Sequence, residues 1–257
     1  MTKKKYTVQQ LPLEKKIVAE VAALNRHVNL MHSHFIVDIT EMRKQMKVYK
    51  QTTKISLSIL TCLLYCFART LDKYKDSTVL LGKRNKLYSF EEVDVFFPFE
   101  LRQEDRKFIW YKVMRRVNKK TILELQNDIK SLTTIKKSFT KFERFFMAMP
   151  LFIRNWLYNI TMRNPVSRKM HFGNVYFSST IHNSNRKLLA YGMPTPFHSA
   201  GMFVGTYIDV INPTNGQNNT NLLAITISLD HHISDGPMLG HLVTDFFDQV
   251  ENFIIPQ

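Results

Sequence analysis

The most constraining feature of the sequence is a strand, a short polar turn and a helix that follow one another near the carboxyl terminus. Over residues 222–230 apolar side chains alternate with small or polar ones, which predicts a strand with one buried face. Residues 238–253 repeat apolar side chains at helical spacing. Between them, Asp235 and Pro237 are residue types that favour the first turn of a helix. We therefore expect a polar turn at the edge of a sheet, with a helix packed directly after it.

His231 lies where this strand is predicted to end, so the rigidity of the sheet would hold its side chain beside an opening. Imidazole titrates near neutral pH and can take a proton from a hydroxyl or a thiol. Two interpretations are open from the residues alone. His231 is either a general base or an ordinary histidine of the core or surface, and Asp235 is explained by helix capping alone.

The rest of the chain predicts an α+β domain with a mixed sheet. Asp38 or Thr40 is predicted to cap a helix, and Asn215-Gly216 predicts a hairpin between the last two strands. No internal repeat or linker divides residues 1–257, so we expect a single domain with its core over about residues 10–253. The predicted helices cover residues 13–26, 38–50, 54–70, 121–132 and 238–253, with two more on either side of Pro150 within 138–163. The predicted strands cover residues 31–39, 78–82, 86–90, 93–99, 108–117, 174–180, 201–210 and 222–230.

The charge is uneven along the chain. The whole sequence carries +15, but residues 166–257 carry −2, so residues 1–165 carry +17. These basic residues stand singly or in pairs among apolar ones, which favours solvated outer faces, and no nucleic-acid-binding motif accompanies them. A nucleic-acid or anionic-surface binder is therefore kept only as a third hypothesis, and no nucleic-acid partner is expected.

Composition excludes several other classes. Eight glycines and no phosphate-loop pattern argue against a nucleotide fold, and two cysteines exclude a disulfide framework. The most apolar run, residues 55–68, is too short to cross a bilayer, so we expect a cytoplasmic protein without a membrane partner. Cys62 with Cys66, and His32 with His34, are spaced as metal pairs, but packed thiols and the lack of a third ligand predict no metal site.

The segment DHHISDG and the helix after it resemble the DHRxxDG motif and last helix of the catalytic domain of dihydrolipoamide acyltransferases, from 2-oxo-acid dehydrogenase complexes. They equally resemble the HxxxDG motif of chloramphenicol acetyltransferase, which has the same fold. The resemblance extends over about residues 10–253 and is that of a stand-alone, single-domain branch. It is carried further by the segments NRHVNLMHSHFIVDITEMRKQ, KLYSFEEVDVFFPFE, NPVSRKMHFGNVYFSST and YGMPTP.

The resemblance implies a chloramphenicol acetyltransferase-like two-layer sandwich, a mixed β-sheet flanked by helices, without lipoyl or subunit-binding domains. It implies a homotrimer, or a multiple of trimers, with each active centre between two subunits. It also implies an acyltransferase with acyl-CoA as co-substrate, no covalently bound cofactor and an unassigned thiol, hydroxyl or amine acceptor. Basic residues within 102–144 are candidates for contacts with the phosphates of CoA.

By the same resemblance, His231 is the general base, and Asp235 forms an ion pair that organises its loop, with Arg26 as the candidate partner. Ser178 aligns with the hydroxyl that donates to the oxyanion of the tetrahedral intermediate, and Ser179 is the alternate, one register away. The loop after Ser179 lacks the glycines of relatives, and His232 replaces the motif's arginine. A catalytically silent trimeric scaffold of the same fold is therefore the second hypothesis.

Overall fold

The computed structural model describes residues 28–103, 106–132, 140–180, 190–194, 198–211 and 219–256. The predicted helix over 13–26, Arg26 and the predicted Asn215-Gly216 turn lie outside these residues. The strands are β1 (Leu30–Asp38), β2 (Leu80–Leu81), β3 (Leu87–Tyr88), β4 (Val95–Gln103), β5 (Arg106–Met114), β6 (Val175–Ser179), β7 (Ala200–Ile211) and β8 (Asn219–Asp230). The helices are α1 (Thr40–Thr53), α2 (Ile59–Lys73), α3 (Ile122–Leu132), α4 (Lys141–Ala148), α5 (Leu151–Arg163), α6 (Pro165–Phe172) and α7 (Gly236–Glu251).

Six strands form one mixed sheet in the order β1-β8-β7-β6-β4-β5. β6 runs parallel to both β4 and β7, whereas the other neighbouring pairs are antiparallel. The short strands β2 and β3 form a separate antiparallel hairpin. The predicted α+β class with a mixed sheet flanked by helices is confirmed.

One face of the sheet is covered by α1, α2, α3 and α7, and the main core lies between them. The alternation predicted for β8 places Leu223, Ile225, Ile227 and Leu229 on this face, where all four are fully buried. Phe246 of α7 packs edge-on against Phe67 of α2, also in this core. Burying one such side chain contributes about 2–3 kcal/mol, so this helix-covered face fixes the strand register.

The opposite face, called here the second face, is lined by the other set of alternating side chains. Around β4 and β6 it is aromatic, where Phe96 and Tyr176 are covered by Phe172 of α6 and by Met162 of α5. Around β1 and β8 it carries polar side chains instead, among them His32, His34, Thr226 and Ser228. Over β1 and β8 the second face is therefore polar, as the alternation in β8 predicted, whereas over β4 and β6 it is aromatic.

Several predicted boundaries were wrong because side-chain hydrogen bonds set them. α2 begins at Ile59 and not near residue 54, since the Ser58 hydroxyl accepts the Thr61 N–H at 3.1 Å and Gln126 accepts the Ser58 N–H at 2.7 Å. α1 follows Ile39 without a side-chain cap, and Asp38 instead accepts the Thr40 N–H at 2.8 Å. α6 was not predicted. Its N-cap Asn164 and Pro165 are nevertheless readable as a helix start.

Candidate active site

The turn that carries His231 is held by backbone hydrogen bonds on both sides. β8 ends at Asp230, whose N–H donates to Ser199 O at 2.8 Å and whose carbonyl accepts the N–H of Ile233 and Ser234. The N–H of His231 itself donates to Asn29 O at 2.7 Å. The His231 side chain is exposed. The fixed backbone and free side chain are the arrangement expected of a group that meets a ligand at the edge of the sheet.

The Asp230 carboxylate lies below this turn and is almost fully buried, with 3% of the residue exposed. Its Oδ1 accepts the backbone N–H of His232 at 3.1 Å and lies 2.9 Å from His232 Nδ1. The carboxylate thereby contacts both the backbone and the ring of His232 and fixes the conformation of the turn. Sequence reasoning gave no role to Asp230, although the alternation of the strand places it on the same face as Thr226 and Ser228.

A buried guanidinium accompanies Asp230. Arg168 of α6 donates through Nη2 to Leu81 O at 3.2 Å and is buried together with the rest of this end of the sheet. Burial lowers the pKa of Arg168, and the negative charge of Asp230 opposes that shift. Arg168 and Asp230 are both buried, and sequence reasoning assigned a role to neither because they are far apart in the chain.

His198 lies in the same region but is a packing residue. It is fully buried, its Nε2 lies 2.7 Å from Phe172 O, and its ring packs against Phe96 and Tyr176. Burial lowers the pKa of His198 to about 3, so the ring is neutral at physiological pH.

Asp235 is the N-cap of α7, as the capping interpretation predicts. Its backbone is extended and its Oδ1 accepts the Met238 N–H at 2.9 Å. The negative charge of an exposed N-cap aspartate also stabilises the helix through its interaction with the positive end of the helix dipole. Arg26 lies outside the described residues, so the ion pair between Arg26 and Asp235 stays a prediction.

Ser178 and Ser179 point to opposite faces of the sheet. Ser178 lies on the second face with 9% of the residue exposed, in one cross-strand row with Phe203, Thr226 and His34. Ser179 falls on the helix-covered side by the alternation of β6. Ser178 is thus the serine that shares a face with the polar residues of β8 and β1.

His231 and Ser178 are far apart within one chain. Ser178 is level with Thr226 across β7, and β8 runs four residues further to its end at Asp230. At about 3.4 Å per residue and about 4.8 Å between strands, Ser178 lies about 17 Å from the end of β8. A general base and an oxyanion donor must both reach the same carbonyl group within hydrogen-bond distance. The two side chains of one chain do not meet that condition.

The paired histidines of β1 form hydrogen-bonding contacts across to β8. His32 Nδ1 lies 2.6 Å from Ser228 Oγ, and His34 Nδ1 lies 2.8 Å from Thr226 Oγ1. The two rings stack. The pKa of His32 is lowered mainly by burial and to a smaller extent by the charge of His34.

Within the described parts of the chain, no three His, Cys, Asp or Glu side chains come together as metal ligands. Cys62 is a buried core thiol, and burial raises its pKa to about 12.

The structure is similar to solved acetyltransferases over nearly its whole length. A dihydrolipoamide acetyltransferase of Listeria monocytogenes, described as probable, aligns with a TM-score of 0.67 and 14% identity, covering 97% of this chain and 96% of that one. The dihydrolipoamide acetyltransferase of Azotobacter vinelandii aligns with a TM-score of 0.66 and 17% identity over 96% and 93% of the two chains. That structure was determined to define the roles of a serine, a histidine and an asparagine in its catalytic mechanism.

A chloramphenicol acetyltransferase aligns with a TM-score of 0.51 and 11% identity, covering 91% of this chain and 94% of that one. No protein-family model and no curated protein matches the sequence. At these identities the likeness is one of fold. The chain therefore has the fold of the catalytic domain of dihydrolipoamide acetyltransferases, which chloramphenicol acetyltransferase shares.

Proposed function

We propose that this protein is a CoA-dependent acyltransferase in which His231 is the general base. The observation that carries the proposal is the His231 turn. An exposed imidazole stands on a backbone fixed by hydrogen bonds to Asn29 and Ser199, between a sheet strand and a capped helix. The backbone fixes the position of this side chain, and its imidazole is exposed and can hydrogen-bond to a bound reactant. Proton transfer to and from that reactant requires both conditions.

The proposed reaction is a direct transfer with no covalent enzyme intermediate. His231 takes the proton of the acceptor hydroxyl, thiol or amine as the acceptor atom bonds to the thioester carbonyl carbon of acyl-CoA. The carbonyl oxygen becomes an oxyanion, which accepts a hydrogen bond from the Ser178 hydroxyl. When the oxyanion collapses, the carbon–sulfur bond breaks, and the protonated His231 returns its proton to the CoA thiolate. Protons and electron pairs balance, and no metal or redox step is needed.

In this proposal each active centre uses His231 from one subunit and Ser178 from its neighbour. The separation of about 17 Å between Ser178 and the end of β8 leaves each chain with two half-sites that only a second copy completes. The proposed assembly is a trimer or a multiple of trimers. The similarity to the Azotobacter vinelandii enzyme, whose catalytic mechanism was examined at a serine and a histidine, supports this choice of residue types.

The acyl donor and the acceptor are the open parts of the proposal. Basic residues within 102–144 are the candidates for binding the CoA phosphates, because this region holds 13 basic and 5 acidic residues. Their replacement is expected to raise the KM for acyl-CoA without lowering kcat. Asp235 is proposed to hold the turn through α7, with Arg26 as a second contact.

The test is thiol release from a panel of acyl-CoAs offered with thiol, hydroxyl and amine acceptors. Wild-type protein is expected to release CoA thiol, His231→Ala is expected to be inactive, and both are expected to keep the same oligomeric mass. His241→Ala is the matched control, because His241 is an exposed histidine of α7 away from the turn. If wild-type protein shows no turnover above His231→Ala across the panel, the proposal fails and the scaffold hypothesis takes its place.

A further inference from the structure

The consecutive helices α4 and α5 expose six large apolar side chains. Phe142 and Phe152 are 72% and 73% exposed, and Trp156 is 62% exposed. With their neighbours they form a surface that we call the aromatic stripe, composed of Phe142, Phe145, Leu151, Phe152, Trp156 and Ile160. Phe142 and Phe145, and likewise Phe152, Trp156 and Ile160, are three or four residues apart and so share one face of their helix. Scattered exposed apolar residues are normal, but a row of aromatic side chains on one helix face marks a surface that is covered by a partner or by lipid.

The stripe is not the result of loosely placed helices, because their inner sides are packed. Met162 of α5 packs against the aromatic cluster of the second face, and Phe146 of α4 packs edge-on against Tyr158 of α5. The Arg154 side chain is buried and donates to Met147 O at 2.7 Å, which ties the two helices together. α5 is therefore apolar on both its inner and its outer side, a pattern that a helix facing only water does not show.

The charges beside the stripe have one sign. Lys141, Arg144 and Arg163 are exposed on the same two helices. Glu143 is the only acidic residue in the sequence from 140 to 166, and it is engaged in the capping box with Thr140. Pairing this surface with itself in a second copy would bring like charges together, and a trimer contact, which pairs it with a different surface, is one of the outcomes of the test below. An anionic surface would instead meet aromatic and aliphatic side chains flanked by Lys and Arg, which is the composition of helices that lie at a membrane interface.

We propose that the aromatic stripe docks the protein onto the surface of an anionic lipid bilayer, with α4 and α5 lying in the plane of the interface. The contact is peripheral, and in the described parts of the chain no helix is long and apolar enough to cross a membrane. The sequence-based expectation of no membrane partner rested on the absence of a spanning segment, which does not bear on a surface contact. This docking goes beyond the proposed acyl transfer and does not depend on it.

The chain offers a direct reporter, because Trp110 and Trp156 are its two tryptophans. In Trp110→Phe, the remaining fluorescence comes from Trp156 in the stripe. On adding vesicles of phosphatidylcholine and phosphatidylglycerol we expect the emission to shift to the blue and the protein to float with the vesicles. We expect about tenfold or more weaker binding to pure phosphatidylcholine vesicles, because three basic side chains lose their anionic partners.

Two variants and a control separate the contributions. Phe142→Ser with Phe152→Ser is expected to weaken vesicle binding about tenfold or more, since two large apolar side chains no longer enter the interface. Lys141→Glu with Arg144→Glu is expected to remove the preference for phosphatidylglycerol. Leu87→Ser is the matched control, because Leu87 is an exposed apolar residue of the β2–β3 hairpin outside the stripe, and its binding is expected to equal that of wild type.

Three results would overturn the proposal. The first is the absence of binding to either kind of vesicle at low salt. The second is a loss of oligomeric mass in Phe142→Ser with Phe152→Ser without any vesicle binding by the wild type, which would assign the stripe to a second copy. The third is a Trp156 emission that is already blue without vesicles and shifts to the red on removal of residues 1–27, which would assign the stripe to that segment. His231→Ala is expected to bind vesicles as the wild type does, so the vesicle assay tests docking independently of the proposed acyl transfer.

Discussion

The end of β8 and the middle of β6 place their candidate catalytic side chains in opposite ways. His231 stands exposed on a turn at the sheet edge, and its position is set by backbone hydrogen bonds and by the buried Asp230 carboxylate. Ser178 lies almost buried on the second face, and its position is set by the register of β6 and β7. The two differ in exposure and lie about 17 Å apart by strand geometry. In the proposed mechanism each chain therefore contributes two separate half-sites, and a second copy is required to complete an active centre.

The largest effect is expected from His231→Ala, which removes the proposed base from the exposed half-site. General-base catalysis contributes on the order of 10³-fold, and we expect kcat for CoA thiol release to fall by about that factor. The fold is expected to be unchanged, because the side chain is exposed and only its backbone N–H is engaged. A rate within a few-fold of wild type would mean that this turn is not a catalytic half-site.

Asp230→Asn tests the support beneath the same turn. Removing the charge weakens the hydrogen bond that the buried carboxylate accepts from the His232 N–H, and a hydrogen bond to a charged group contributes about 2 kcal/mol. We expect the free energy of unfolding, measured by denaturant titration at fixed protein concentration, to fall by about that amount. Asp209→Asn is the control, because its ion pair with Arg43 is exposed and is expected to contribute less than about 1 kcal/mol. If the free energy of unfolding falls equally in both variants, the buried Asp230 carboxylate contributes no more to stability than an exposed aspartate does.

Ser178→Ala tests the buried half-site. Loss of an oxyanion donor lowers kcat by about 10²-fold, and the KM for acyl-CoA is expected to stay close to that of wild type. Ser179→Ala is the matched control, since the adjacent serine points to the helix-covered side of the sheet and is expected to keep nearly full activity. If Ser179→Ala is the inactive variant, the assignment between the two serines is reversed.

The smallest effect is expected from Asp235→Ala, which removes the N-cap of α7. Loss of an N-cap costs about 1 kcal/mol, which thermal or chemical unfolding can resolve. The same variant in an Arg26→Ala background tests the predicted ion pair, and coupling between neighbouring residues exceeds about 0.5 kcal/mol when they interact. If the effects of the two substitutions on the free energy of unfolding are additive, Asp235 acts only as a helix cap and does not form the predicted ion pair with Arg26.

The sequence predicted those parts of the fold that depend on local patterns. Strict alternation over 222–230 predicted the end and the facing of β8, although the strand begins three residues earlier, at Asn219. Asp235 was predicted correctly as the cap of α7, because capping is a contact between close neighbours, although the helix begins at Gly236 and not at residue 238. The order of the strands and the register across β6, β7 and β8 could not be derived in this way, because they depend on contacts between distant residues. For that reason the sequence left Ser179 as an alternative to Ser178, and the structure shows only which face of the sheet each serine is on.

The support of the candidate site was the least predictable part. Arg168 and Asp230 are separated by all of β6 and β7 in the sequence, and only folding buries both side chains and lets the negative charge of Asp230 act on the guanidinium. The pairing of His32 with Ser228 and of His34 with Thr226 likewise follows from strand register. Residues 151–163 were predicted only as part of a helix. The structure shows that the apolar side chains of α5 are packed on one side and exposed on the other.

The central claim, that each active centre joins His231 of one subunit with Ser178 of another, is tested most directly by mixing two inactive variants. His231→Ala and Ser178→Ala are dissociated together, reassembled at equal concentrations and assayed for CoA thiol release. If centres form between subunits, random reassembly gives about one quarter of them an intact His231 and an intact Ser178, and about one quarter of the wild-type rate is expected to return. A mixture no more active than either variant alone would contradict the account and place both residues, or neither, in a centre within one chain.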